Sequence, residues 1–199
     1  MFFIIFLRKI RHKYLNNFSP FWIYLGKFYR SLSIYYKFKC IQYIGEYGPF
    51  KFDAVFLFSN YSEFGNNHNR GFNHLMKNLK NKKTFFDIGA HIGLISIPAA
   101  INMNIDSKII AFEPSDKNYK HLKNHIKANN FSKKIKLYKK LIGEKNCKKN
   151  FYSSKDESPL NSIIKIKQIE KYNKQSINQI SIDSFCKKSG IFPDIIKID

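Results

Sequence analysis

The sequence is poor in acidic residues, and its basic residues far outnumber them. Among 199 residues there are 14 Asp and Glu against 35 Lys and Arg, which gives a formal net charge of +21 at pH 7. The basic residues are spread along the chain and do not form a single stripe. We therefore interpret the charge as a general surface property that attracts anionic partners weakly, and we do not predict a nucleic-acid partner.

Cysteine is also scarce, and its spacing excludes a disulfide framework. The three cysteines, Cys40, Cys147 and Cys186, are far apart and form no C-x-x-C motif. Isolated cysteines of this kind are typical of reduced thiols, which predicts a cytoplasmic protein. The hydrophobic content of 44% is sufficient for one domain with a buried core.

The N-terminal region lacks both a spanning segment and a signal peptide. Its apolar run, MFFIIFL, has seven residues and precedes the basic cluster, whereas a spanning helix needs about 20 apolar residues. We predict that residues 1–48 are a basic, aromatic and helical extension whose aromatic side chains pack on the rest of the protein. The alternative is peripheral contact of residues 1–30 with the inner membrane surface. The aromatic group of this extension comprises Phe18, Phe21, Trp22, Tyr24, Phe28 and Tyr29.

Two short motifs carry most of the chemical information. TFFDIGAHIG (Thr84–Gly93) is an apolar run that ends in an acid and a glycine loop, and the helix-like stretch 94–101 follows it. IIAFEP (Ile109–Pro114) is a second apolar run that ends in an acid. A strand, a glycine loop, a helix and a second strand that ends in a carboxylate are typical of the nucleotide-binding half of a doubly wound α/β sheet.

The spacing within the glycine loop favours S-adenosylmethionine over a dinucleotide. A pyrophosphate cofactor favours G-x-G-x-x-G, but His91 replaces the middle glycine and would crowd a pyrophosphate. S-adenosylmethionine has no phosphate and carries a sulfonium and an ammonium, which suit Asp87. Glu113 would accept hydrogen bonds from both ribose hydroxyls. The predicted cofactor-binding residues are Asp87, Gly89, Ala90, His91, Gly93, Glu113 and Pro114.

Three other interpretations of these motifs stay open. Asp87 could cap the following helix, and Glu113 with Pro114 could be an ordinary strand exit. The loop could bind NAD in an oxidoreductase, although His91 argues against this. His121 and His125 lie one helical turn apart, but no accompanying glutamate or third ligand marks a metal site, so we assign none and expect surface or half-buried side chains.

The chain resembles the FkbM-type S-adenosylmethionine-dependent methyltransferases. The resemblance lies in FFDIGAHIGLISI (Phe85–Ile97), in residues 109–129 and in ISIDSFCKKSGIFPDIIKID (Ile180–Asp199), with GNNHNRGFNHLM (Gly65–Met76) as an approach segment. It implies a Rossmann-like class I domain over residues 49–199. It also implies methyl transfer to a hydroxyl oxygen of a sugar or another small metabolite.

The resemblance also suggests the catalytic groups and a truncation. In the family the last motif continues beyond the position of Asp199, so we expect a fold that is incomplete in its C-terminal half. We predict that Asp199 orients the methionine end of the cofactor or accepts the proton of the acceptor, with His68 as the second candidate base. The alternative function is an inactive remnant that acts as a basic membrane-associated or nucleic-acid-binding protein.

Overall fold

The computed structural model describes residues 35–154, 161–162 and 172–199, together with the helical positions 24, 28, 31 and 32. Two compact units are formed, one by residues 1–40 and 53–59 and the other by residues 41–52 and 60–199. The apolar run at residues 1–7 lies outside the described residues, as does most of the polar stretch 153–178. The domain boundary predicted after residue 48 stays a prediction.

Strands and helices alternate along the larger unit after a short two-stranded sheet. A 3-10 turn (Ala54–Phe56) follows that sheet. In chain order the strands and α-helices are β1 (Lys39–Ile44), β2 (Tyr47–Asp53), α1 (Gly71–Leu79), β3 (Thr84–Ile88), α2 (Ser96–Asn102), β4 (Lys108–Phe112), α3 (Asp116–Ala128), β5 (Ile135–Tyr138), β6 (Leu141–Ile142), β7 (Cys147–Ser154), β8 (Asn161–Ser162), β9 (Tyr172–Ile180), α4 (Ile182–Ser189) and β10 (Ile195–Ile198).

The central sheet is parallel and has the strand order β10-β3-β4-β5. Successive side chains of a strand point to opposite faces, and both faces of the two middle strands are buried. On one face Phe86, Ile110 and Phe112 form a core with Phe185 of α4. Phe85 and Ile109 point to the other face, where the crossover helices α2 and α3 follow β3 and β4. Helices on both faces confirm the predicted doubly wound α/β class.

A second sheet with the order β6-β9-β7-β8 is inserted between β5 and α4. Strands β7 and β9 are antiparallel, and Cys147 pairs with Gln179 at one end of the ladder. The sequence predicts a hairpin here from Cys147–Ser154 and Ile177–Ile182. The structure confirms the hairpin, but the second strand begins earlier, at Tyr172.

Several predicted boundaries agree with the structure. Strands β3, β4 and β7 span the predicted residues, and the helix predicted at 72–79 spans Gly71–Leu79. Helix α2 begins at Ser96, two residues later than expected, and Pro98 lies in its first turn. A proline is tolerated there because the first backbone N–H groups of a helix have no intrahelical partner.

Two predicted strands are wrong in their extent. The segment 52–58 was expected to be one strand, but β2 ends at Asp53 and the 3-10 turn follows. The Ala54 N–H donates to the Phe38 carbonyl oxygen (2.9 Å), so the chain turns where strand propensity alone would continue it. The strand expected at 135–141 ends at Tyr138, and Leu141 pairs in the second sheet instead.

Candidate active site

A cavity of about 730 Å³ lies at the carboxyl ends of the central strands, within the larger unit. Ligands of open α/β sheets bind at this edge, near the point where the strand order reverses. Here the reversal falls between β3 and β10. Asp87 and Gly93 do not line the cavity. The predicted site residues that line it are His68, Gly89, Ala90, His91, Glu113, Pro114 and Asp199.

The glycine loop between β3 and α2 is held against the tip of β4. The N–H groups of Gly89 and Ala90 both donate to the Phe112 carbonyl oxygen, at 2.9 and 3.0 Å. Gly89 has φ +73°, a conformation that L side chains rarely adopt. A Cβ at Gly89 would lie 3.3 Å from the Asp199 carbonyl oxygen. The missing side chain therefore lets the loop and the end of β10 approach each other.

The far end of the loop is anchored in the core. Gly93 has φ +97°, and a Cβ there would lie 2.6 Å from Leu122 Cδ1. The side chain of His125 is fully buried, and its Nδ1 lies 2.8 Å from the Ile92 carbonyl oxygen. Because a carbonyl only accepts, Nδ1 carries the proton. The expectation that His125 is exposed or half-buried is wrong, since this ring ties the loop to α3.

Glu113, at the end of β4, is the best-positioned acid in the cavity. Its side chain is buried, with an exposed fraction of 3%. One carboxylate oxygen accepts the His91 N–H at 2.7 Å and the other accepts the Ser115 N–H at 2.9 Å. Desolvation raises the pKa of Glu113 although these two donors oppose the rise. An ionised carboxylate has about four acceptor sites, so capacity for further donors remains.

His91 occupies the middle of the loop in a left-handed conformation, with φ 52°. Its backbone N–H is committed to Glu113. Burial, followed by the charge of Lys197, lowers the pKa of the His91 imidazole. The ring is therefore neutral near pH 7 and adds no positive charge to the cavity.

Asp87 lies beneath the glycine loop and is fully buried. The Ser96 hydroxyl donates to Asp87 Oδ2 at 2.5 Å, and Lys197 Nζ lies 3.2 Å from Oδ1. Among the described residues Oδ1 has no hydrogen-bond partner, so Lys197 supplies neutralising charge without good hydrogen-bond geometry. The predicted contact of Asp87 with the methionine end of a cofactor stays a prediction.

Lys197, on β10, is a functional candidate that the sequence analysis missed. Its side chain is only 13% exposed and lines the cavity, and its Nζ lies 2.6 Å from Asp199 Oδ2. Burial lowers the pKa of Lys197, but Asp87 and Asp199 more than offset this and raise it above the ordinary value. One sequence signal was available: Lys197 is the one charged residue within the apolar run IIKI of this strand.

His68 enters the cavity from the loop before α1. Its carbonyl oxygen accepts the Gly65 N–H at 2.8 Å, and its ring lies edge-on to Phe64, with centroids 5.0 Å apart. This local fixing places an imidazole on the same cavity as Asp199. The catalytic roles predicted for His68 and Asp199 stay predictions. Further lining residues that the sequence analysis missed come from the second sheet and the segment leading to it, among them Lys140, Ile142 and Phe151.

Similar folds occur among solved methyltransferases, but the overlaps are partial. Pyrococcus horikoshii TYW2 in complex with MeSAdo is 20% identical, with 51% of this chain and 36% of that chain covered and a TM-score of 0.38. The precorrin-6y C5,15-methyltransferase of Geobacter metallireducens is 20% identical, with 41% and 39% covered and a TM-score of 0.32. A Geobacter sulfurreducens methyltransferase is 20% identical, with 33% and 34% covered and a TM-score of 0.30. The chain thus spans less than half the length of each of these proteins.

The family is shown by a match to the whole second part of the sequence. No curated protein matches the chain. The model of the methyltransferase FkbM domain, however, matches residues 87–199, which is more than half of the chain and contains the glycine loop, Glu113 and Lys197. This match confirms the family and the methyltransferase class predicted from the motifs, and it supports S-adenosylmethionine as the cofactor. The chain belongs to the FkbM methyltransferase family.

Proposed function

We propose that the protein binds S-adenosylmethionine in this cavity and transfers its methyl group to a hydroxyl oxygen of a sugar or another small metabolite. The observation that carries the proposal is the position of Glu113. Its buried carboxylate lines the cavity beside the glycine loop, at the edge where sheets of this topology bind nucleotides.

The residues present fit the adenosine part of this cofactor. Each oxygen of Glu113 accepts one backbone N–H, so each keeps one further acceptor site for a ribose hydroxyl. Gly89 leaves the loop open where a side chain would stand against Asp199. No basic side chain is offered by the loop Gly89–Ile95 for a pyrophosphate, and His91 fills the position that a dinucleotide needs clear.

The chemistry asks little of the protein beyond position and proton removal. When bound, S-adenosylmethionine supplies an electrophilic methyl group on a sulfonium. Holding the acceptor oxygen in line with that methyl is worth up to about 7–11 kcal/mol in favourable cases. Removal of the hydroxyl proton adds a factor of about 10²–10⁴. His68 and Asp199 line the same cavity and each carries an atom that can accept this proton.

The shape of the cavity favours a small acceptor. A volume of about 730 Å³ lies within the range typical of small-molecule pockets, roughly 300–1,000 Å³. Phe64 and Phe151 provide apolar wall, while His68 and Lys140 provide polar groups. A wall of this mixed character suits a hydroxylated ring, which presents apolar faces and polar edges.

Methyl transfer is tested with S-adenosylmethionine labelled in the methyl group and a panel of monosaccharides and small hydroxylated metabolites. We expect label in the acceptor that survives mild alkali, because a methyl ether resists hydrolysis whereas a carboxyl methyl ester does not. The variant His68→Gln should lower turnover by about 10²–10⁴ without changing cofactor affinity. His74→Gln, at an exposed position of α1, is the matched control. Alkali-labile label, or binding without transfer to any hydroxyl, would contradict the proposal.

A second role is favoured by the exposed face of the N-terminal helical residues, within the smaller unit. Tyr24, Phe28, Leu32 and Tyr35 are spaced as one helical face, and their side chains are 77%, 59%, 38% and 78% exposed. Glu46 is the first acidic residue of the sequence, and eight Lys or Arg precede it. An exposed apolar face in an acid-free basic segment is complementary to an anionic lipid surface. We propose peripheral contact with such a membrane.

Within the described residues, no helix has the length and apolarity that crossing a bilayer requires. The test is therefore co-sedimentation of the whole chain with phosphatidylglycerol or phosphatidylcholine vesicles. The triple variant Tyr24→Ser, Phe28→Ser, Tyr35→Ser should bind the anionic vesicles about 10-fold more weakly, and Phe192→Ser, a 67% exposed position elsewhere, should not. Equal binding by both variants would attribute the contact to net charge alone. The predicted cytoplasmic location stays a prediction.

A further inference from the structure

Lys197 is held by three oxygen atoms in the floor of the cavity. Its Nζ lies 3.2 Å from Asp87 Oδ1, 3.2 Å from the Gly89 carbonyl oxygen and 2.6 Å from Asp199 Oδ2. The first contact follows from the sheet, because Lys197 and Asp87 are register partners in the parallel pair β10 and β3. Lys197 is therefore fixed by backbone pairing and cannot leave its place without breaking the sheet edge.

The three contacts differ in how firmly they are held. Asp87 is fully buried, and the Gly89 carbonyl belongs to the glycine loop, so both are fixed acceptors. The side chain of Asp199 is 70% exposed. An ion pair with one exposed partner is weak in water, because solvent competes for the exposed charge. The Lys197–Asp199 contact is thus the part of the cluster that opens at least cost.

We propose that the Lys197–Asp199 pair recognises the α-amino-carboxylate end of the cofactor, with Lys197 binding the carboxylate and Asp199 binding the ammonium. This inference rests on the proposed function, since it names the part of the same site that holds the methionine moiety. The exchange conserves charge pairing: one ion pair within the protein opens, and two form with the zwitterionic end of the ligand. Asp87 acts through Lys197 as a positioning residue.

The strand order supports this placement. Glu113 follows β4, and Lys197 lies on β10, with β3 and its glycine loop between them. Two strand spacings of about 4.8 Å separate these tips by roughly 10 Å. A cofactor with its ribose at Glu113 therefore reaches Lys197 with its amino-acid end after crossing the glycine loop. The other lysine of the cavity, Lys140, follows β5 on the opposite side of Glu113.

The charges of the cluster match the ligand. Asp87 and Asp199 with Lys197 carry a net charge of −1 by simple count, and S-adenosylmethionine carries one net positive charge. His91 adds no charge, because burial and Lys197 lower its pKa. A zwitterion placed on this cluster meets an opposite charge at each of its own charged groups. A ligand without the amino-acid end would gain nothing from it.

The inference is tested by comparing two ligands by calorimetry on the whole chain. S-adenosylhomocysteine has the amino-acid end, whereas 5′-methylthioadenosine has the adenosine and sulfur but lacks that end. Because Lys197→Met alone would strand the buried Asp87 charge, the double variant Asp87→Asn, Lys197→Met is compared with Asp87→Asn. Thermal unfolding of both variants checks that they fold.

We expect the double variant to bind S-adenosylhomocysteine about 10-fold to 100-fold more weakly than Asp87→Asn does, since a charge-assisted contact is lost. Its affinity for 5′-methylthioadenosine should change less than about threefold, within the context dependence of neutral contacts. An unchanged ratio of the two affinities, or equal weakening of both, would overturn the inference and leave the proposed function intact. Failure of the wild-type chain to bind either ligand would overturn both.

Discussion

Replacement of Glu113 by glutamine is expected to weaken binding of S-adenosylhomocysteine about 100-fold, the largest effect of any single cavity residue. The carboxylate accepts the His91 and Ser115 N–H groups while it also faces the cavity, and a glutamine can present only one acceptor oxygen. Calorimetry gives the affinity, and thermal unfolding separates loss of binding from loss of fold. Glu144→Gln, at an exposed position, is the matched control.

The pH dependence of binding supplies a second signature of Glu113. Desolvation raises its pKa above the ordinary 4.5, so the carboxylate takes up a proton at a higher pH than an exposed glutamate does. A protonated carboxyl has less acceptor capacity for ribose hydroxyls. Affinity should therefore fall on acidification, beginning above the ordinary range of Glu, and Glu113→Gln should remove this dependence. A profile that is unchanged in the variant would exclude Glu113 from the ribose site.

Gly93→Ala is expected to destabilise the fold by about 2–4 kcal/mol. The new Cβ would lie 2.6 Å from Leu122 Cδ1 and 2.9 Å from Ile97 Cγ1, and both of those side chains are fully buried. Overpacking of a core costs about 1–3 kcal/mol, and a positive φ for a non-glycine residue costs roughly a further 1–2 kcal/mol. Urea unfolding measures the difference in the free energy of unfolding.

Gly190→Ala provides the control for that measurement. Gly190, after α4, also has a positive φ of +68°, but no atom lies within 4 Å of its Cβ position. It should therefore show only the backbone penalty, about 1 kcal/mol. Equal losses in the two variants would show that the core beneath the glycine loop yields to the extra methyl group.

The local motifs of the cofactor half were readable because each is written in neighbouring residues. Strand β3 and its glycine loop follow from an apolar run, an acid and two glycines in sequence, and β4 with Glu113 repeats the pattern. The doubly wound class follows from the same alternation. The strand expected at 52–58 failed because aromatic and β-branched content reports packing surface, not the point where the backbone turns.

The Lys197 cluster was not readable in the same way. Asp87 and Lys197 are 110 positions apart in the sequence, and only the parallel register of β10 with β3 makes them neighbours. His125 is a similar case, since its hydrogen bond to the Ile92 carbonyl oxygen depends on how α3 packs under the loop. No local pattern distinguishes these residues from lysines and histidines on a solvated face.

The sequence by itself determined the family, the parallel strands and the acid that ends β4, because period-two burial, glycine loops and strand-end carboxylates are local properties. The tertiary structure decided which charges meet: it buried Asp87, brought Lys197 to it and left Asp199 in solvent. The physical reason is that ion pairing depends on distance and desolvation, and both are set by strand register and packing between segments far apart in the chain.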